Sequence, residues 1–258
     1  MKKFIFWLAL VFLFCSFGAY SQGGSAFGIK AGPLAGFQSW NNSESELLFR
    51  YHGVAYIESY SPNGGASLFA QAGYHIRGGA LRVRGGSFQA INSSRIIDIP
   101  TRTSPYEFRN VSLSLGAKQR FSSNDQGTFY YLLGVRGEYT VSTNLEDYHP
   151  ENDPLVEFNL IHPFPGSNVR KWNYGIIAGG GYEFMFSELV GGLVEFSISP
   201  DLSQQYFQNA FTYNSNINGQ SQRTIGERRI RNVSVELSVG FRFLRIVCLL
   251  YTSDAADE

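Results

Sequence analysis

Cysteine is nearly missing from this chain: Cys15 and Cys248 are the two it has, and both fall in end segments set apart below. The residues between them can hold neither a disulfide nor a thiolate metal site, and cysteine usage leaves the redox compartment open. Charge of one sign is not in excess. Lysine plus arginine equals aspartate plus glutamate at 21 each, and the balance stays near neutral without the two ends, so nucleic-acid binding has no electrostatic support. Beyond residue 21 no apolar run reaches the roughly 20 residues that a membrane-spanning helix needs. Any integral membrane form must then be a barrel. Metal and phosphate motifs are missing as well. Glu146, Asp147, His149, Glu151, Asp153 and His162 share one polar stretch but match no H-E-x-x-H or other ligand spacing. Gly179-Gly180-Gly181 leads into no helix, so it reads as close strand packing, not an anion cradle.

The two ends read as additions to one domain. Lys2 and Lys3, the apolar Phe4 to Phe17 and the small-residue site Ala19-Tyr20-Ser21 make residues 1–21 a secretory signal peptide. Cys248 to Glu258 changes composition abruptly and resembles the translation of a transposase-based sequencing adapter, so residues 248–258 are excluded from fold reasoning. Residues 22–247 remain as the barrel domain.

That domain is rich in aromatics, 16% of the chain, and in glycine, 28 residues. Trp172 to Phe186 shows how they are arranged. Trp172, Tyr174, Ile176, Ala178, Gly180, Tyr182, Phe184 and Phe186 share one face at a period of two, opposite Asn173, Gly175, Ile177, Gly179, Gly181, Glu183 and Met185. One face is apolar with aromatics at both ends; the other is mostly small and carries a carboxylate. A water-soluble strand would reverse that, so the apolar face is expected to meet lipid.

Eight such segments follow one another: Phe27 to Gln38, Phe49 to Tyr60, Leu68 to Arg77, Val111 to Phe121, Phe129 to Thr140, Trp172 to Phe186, Val194 to Ser199 and Val233 to Phe243. Pro33 lacks a ladder donor, which predicts a bulge or local break in the first. Gly78 to Pro105 reads as a longer connection that keeps some alternation from Ala80 to Phe88, and Ile76 is on the outward face of the strand before it. Long polar loops alternate with short turns. This is the all-β pattern of an eight-stranded antiparallel up-and-down transmembrane β-barrel, in the outer membrane of a Gram-negative bacterium. Aromatic girdles are then expected at both interfaces, with Trp40, Trp172 and Tyr174 at one rim and Phe184, Phe241 and Phe243 at the other.

The inward faces carry Lys30, His75, Arg77, Lys118, Arg120, Arg136, Glu138, Glu183, Glu195, Glu236 and Arg242. An eight-stranded interior is about as wide as its side chains. These charges are expected to pair as a plug, with a narrow ion path as the alternative. His52 and His75 near the outer rim, with hydroxyl residues at hand, leave a lipid A-modifying enzyme as another, although no fixed motif pairs a nucleophile with a base. A soluble lipocalin-like binder is the remaining fold alternative. No catalytic, cofactor-binding or metal residues are assigned.

Three stretches carry a resemblance: Phe27-Gly28-Ile29-Lys30-Ala31-Gly32, Tyr174 to Glu183, and Val235-Glu236-Leu237-Ser238-Val239-Gly240-Phe241-Arg242-Phe243. The chain resembles the PorT-like outer-membrane β-barrel family of Bacteroidetes over nearly all of residues 22–247. Eight lipid-facing segments with polar loops and no reactive cluster predict a non-enzymatic structural or interaction component of the envelope, with outer-membrane lipid and envelope or secretion proteins as partners; resemblance to the secretion-associated members of the family implies a part in type IX secretion or gliding.

Overall fold

The computed structural model describes residues 24–40, 45–60, 65–83, 85–89, 96–124, 127–148, 166–215 and 221–245. Residues 1–21, expected to be a signal peptide, and 248–258, expected to derive from an adapter, lie outside them, as do His149, Glu151, Asp153 and His162.

Eight long strands form the barrel: β1 (Gly24–Trp40), β2 (Leu48–Tyr60), β3 (Ala66–Val83), β4 (Arg102–Asn124), β5 (Gly127–Thr143), β6 (Trp172–Met185), β7 (Val190–Pro200) and β8 (Arg228–Arg245). Each pairs antiparallel with its sequence neighbour, and β1 pairs with β8 from Ser25↔Arg245 to Trp40↔Ile230, which closes the ring. The fold is an up-and-down β-barrel. Closure leaves no edge along the wall, as a membrane-spanning sheet requires.

Period-two alternation fixes which side faces out. Along β8, Leu237, Val239 and Phe241 are exposed, while Ser234, Glu236, Ser238 and Arg242 are buried. On β5, Tyr131, Leu133 and Val135 are exposed between buried Tyr130, Leu132 and Arg136. Val135 is 63% exposed and Arg136 3%. In water this inversion would be costly: burying a full aliphatic side chain is worth about 1.5–3 kcal/mol, and every exposed one forgoes that. The outer band is the lipid-facing surface of a transmembrane barrel.

Pro33 acts on one side of its strand. The β1–β8 ladder is interrupted at Gly32 and Pro33, whereas pairing with β2 continues through Gly32↔His52 and Pro33↔Tyr51. Ala31↔Val239 and Leu34↔Glu236 keep one register across the gap, so no residue is inserted and the proline makes a local break without a bulge.

The links β1–β2, β3–β4, β5–β6 and β7–β8 are made at one end of the barrel, and the short links β2–β3, β4–β5 and β6–β7 at the other. The long-loop end is more structured than its polar sequence suggests. Gly78 to Pro105 is not simply a connection: β3 and β4 stay paired out to Val83↔Arg102, and a small hairpin, Gly86–Gln89 with Ile96–Ile99, follows in the chain. β2 leaves β3 after His52↔His75. β3 then passes directly against β1. A Cβ on Gly36 would collide with the Gly78 carbonyl oxygen, and one on Gly79 would lie 2.9 Å from Gln38 Cβ. Ile76, expected to face outward, is 5% exposed, because here the arm is covered on both sides. Gly78 has φ +155°, a conformation that side chains disfavour.

Candidate functional site

The lumen gathers the charged residues. At the short-turn end, Glu58 from β2 and Glu183 from β6 receive three cations. Lys118 Nζ lies 2.9 Å from Glu58 and also bonds Glu183. Arg120 reaches Glu58 at 2.5 Å and Glu183 at 3.1 Å, and Arg242 reaches them at 2.6 and 3.3 Å. Lys118 also sits 3.9 Å from the centre of the Tyr130 ring, a cation–π contact. Tyr130 donates its hydroxyl to Glu195 at 2.8 Å, and Lys30 binds the other oxygen of that carboxylate at 2.6 Å.

Midway up, the rings of His52 and His75 stack with centroids 5.6 Å apart. His75 Nδ1 is 3.1 Å from Glu236, and Arg77 reaches the same oxygen at 3.0 Å. Arg77 Nε and Arg136 Nε each lie 3.0 Å from Glu138 Oε1, at angles too poor for hydrogen bonds, so those contacts are Coulombic. Arg136 also pairs with Asp201. Above them a network of amides and a hydroxyl takes over, starting at Asp201: Asn232 donates to Asp201 at 3.1 Å and to Gln205 at 2.6 Å, Gln38 donates to Asn232 at 3.0 Å, and Gln205 donates to Thr140 at 2.7 Å.

The structure places His75 and all ten of the charges named from strand parity in this column. Two members are absent from the set that parity names. Glu58 accepts from three cations, and Asp201, which the sequence assigns to a loop, closes the upper cluster. Parity along β2 contains the signal for Glu58, since Arg50, His52, Val54, Tyr56 and Glu58 alternate with the exposed Phe49, Tyr51, Ala55 and Ile57. With both included, Lys30, Arg77, Lys118, Arg120, Arg136 and Arg242 face an equal number of carboxylates, Glu58, Glu138, Glu183, Glu195, Asp201 and Glu236. Balance matters here, because breaking one buried pair costs about 3–5 kcal/mol.

A cavity bordered by Lys30, Tyr56, Glu58, Gln71, Lys118 and Glu195 measures about 20 Å³, room for one water. Phe69, Tyr130, Leu132 and Ile177 pack as an apolar cluster within the wall. At the long-loop end Tyr106, Phe108, Leu48, Leu81, Ile230 and Tyr206 are all buried. Burial raises the Tyr206 hydroxyl above its ordinary pKa, opposed by the hydrogen bond that Asn168 donates to it.

His52 Nε2 lies 2.8 Å from Ser238 Oγ, a pairing that hydrolases use. Both are buried, and His52 Nδ1 has no hydrogen-bond partner to orient the ring. Glu236 holds His75 instead.

On the outside, Trp172 is 74% exposed with Tyr139 edge-on at 5.0 Å, and Tyr174 stands below it. At the other rim Phe121, Phe129, Tyr182, Phe184 and Phe186 form a chain of ring contacts at 4.7–6.3 Å, and Phe243 stacks on Phe27 at 5.6 Å. Phe241 is exposed beside them. Trp40 ends β1, opposite Ile230; its side chain is outside the described residues.

No family model and no curated protein matches the chain. Among solved structures, the chain is similar to the outer membrane protease OmpT from Escherichia coli, with 11% identity, 86% of this chain and 96% of that one covered, and a TM-score of 0.38. Neisserial surface protein A gives 9% identity, 84% and 97% coverage and a TM-score of 0.40. The attachment invasion locus protein Ail of Yersinia pestis gives 12%, 85% and 99%, and 0.35.

Proposed function

We propose that this protein is a non-enzymatic, non-conducting barrel of a Gram-negative outer membrane that serves as a structural or interaction component of the envelope. One observation carries the reading: paired charges and their hydrogen-bonded neighbours occupy the lumen from Glu58 to Gln205, and buried side chains close its long-loop end. Ions would have to break those pairs to pass. The buried, unoriented His52–Ser238 pair offers a lipid substrate no approach, which weighs against the lipid A-modifying alternative.

Contacts with partners fall to the long-loop end, where the hairpins Gly86–Gln89 with Ile96–Ile99 and Phe211–Ser215 with Ser221–Ile225 stand apart from the ring's own pairing. The resemblance to PorT-like barrels supports secretion proteins of the envelope as those partners. Planar-bilayer recording tests the plug: insertion without conductance steps is expected, and a reproducible open level overturns it. An unchanged lipid A mass spectrum after deletion is the matching expectation for the absence of activity on lipid.

A further inference from the structure

At the long-loop end, basic residues lie beyond the outward apolar bands of β6 and β8. Two residues before Trp172 stands Arg170, and two and four before Val233 stand Arg231 and Arg229. Side chains two apart on a strand share a face about 7 Å apart. Arg229 and Arg231 thus continue the lipid-facing side of β8 beyond its apolar band, Arg170 lies just outside the start of β6, and all three are exposed.

The short strand Tyr206–Gln208 brings them together. It pairs with β8 through Phe207↔Arg229 and meets Val169 at a bridge with Tyr206. Phe207 is flanked by both guanidiniums, Arg170 at 5.5 Å from its ring centre and Arg229 at 5.9 Å. Exposed Lys171 adjoins Arg170, and Glu227 pairs with Arg229 at the margin of the group. The short-turn end differs: there Phe27, Phe121, Phe129 and Phe186 end the outward faces, with Arg245 the basic residue of β8.

We propose that Arg170 and Arg229, which flank Phe207, together with Arg231 two residues from Arg229 on the same face of β8, bind the phosphate-bearing headgroup of an outer-leaflet lipid whose acyl chains lie along Trp172, Tyr174 and Val233. Stacking on an aromatic ring fixes a guanidinium plane with its edge donors turned outward, the geometry that suits a phosphate, and the Arg229 edge also carries Glu227 through Nε. Outward orientation beside the apolar band selects a lipid over a soluble anion, because a headgroup arrives at that level with its chains already against the wall. This site rests on the membrane placement proposed above.

The test uses the full barrel refolded into phosphatidylcholine vesicles and then transferred to micelles with bisphosphorylated lipid A, with bound lipid counted by native mass spectrometry. The wild type is expected to retain lipid A, the triple variant R170Q/R229Q/R231Q to bind it at least about tenfold more weakly, and R109Q, at the same rim on β4, to match the wild type. Heat-modifiable migration on gels identifies folded variants. Equal binding by wild type and triple variant, or displacement of lipid A by millimolar inorganic phosphate, overturns the site while leaving the membrane placement intact. A wild type that never inserts into vesicles removes both.

Discussion

Lys118 and Glu58 meet at 2.9 Å in the lumen although they stand on β4 and β2, with β3 between them. Lys118 also pairs with Glu183 on β6, so one ammonium joins carboxylates four strands apart, and a curved wall is what brings both within its reach. The barrel and its plug are thus mutually dependent: closure makes the pairs, and the pairs fill what closure encloses.

Removing Glu58 tests that dependence. Glu58→Ala leaves Lys118, Arg120 and Arg242 sharing Glu183, and a loss of about 3–5 kcal/mol is expected. Urea unfolding of the vesicle-inserted barrel reads it. Glu227→Gln, which breaks an exposed, solvent-screened pair, should leave the unfolding curve where it is. Equal effects from the two would mean that the lumen pairs do not bear on stability.

The lipid-facing wall makes a second prediction. Val135 lies midway along β5 and is 63% exposed. Val135→Arg should cost about 2–4 kcal/mol in a bilayer, as a charge at mid-depth does. Refolding equilibria in vesicles measure it, and a neutral result would indicate that position 135 is wetted.

Gly78 supplies a third. A Cβ there would collide with the Tyr106 carbonyl oxygen, at a backbone conformation that favours glycine. Gly78→Ala is expected to loosen the β3–β4 arm at a cost of about 1–3 kcal/mol. Protease should then reach the Gly86–Gln89 and Ile96–Ile99 hairpin more readily, with the eight-stranded ring retained. Unchanged cleavage would show that the arm tolerates the change.

Where one face meets lipid and the other the lumen, the sequence displays the structure directly. Val233 to Phe243 and Trp172 to Phe186 alternate cleanly because their two surroundings differ. The arm is hidden for the opposite reason. From His75 to Leu81 every residue is buried, so no alternation marks the continuing strand or warns that Ile76 turns away from lipid. Glu58 is obscured by Tyr56 and Tyr51, aromatics on both faces of β2 that blur its parity. Asp201 follows Pro200 at the end of β7, where composition announces a loop, yet a bridge to Gly175 holds it over Arg136. Pairing across a lumen depends on which strands face one another, and local spacing does not carry that.

The most direct measurement places single spin labels at successive positions from Val233 to Phe243 in vesicles. Labels at 235, 237, 239 and 241 are expected to be accessible to oxygen dissolved in the bilayer, and those at 236, 238 and 240 to be shielded from both oxygen and a water-soluble nickel complex. Shielded odd positions with even positions open to the nickel complex would mean an apolar core inside and charges outside, contradicting a membrane-spanning barrel with an ion-paired lumen.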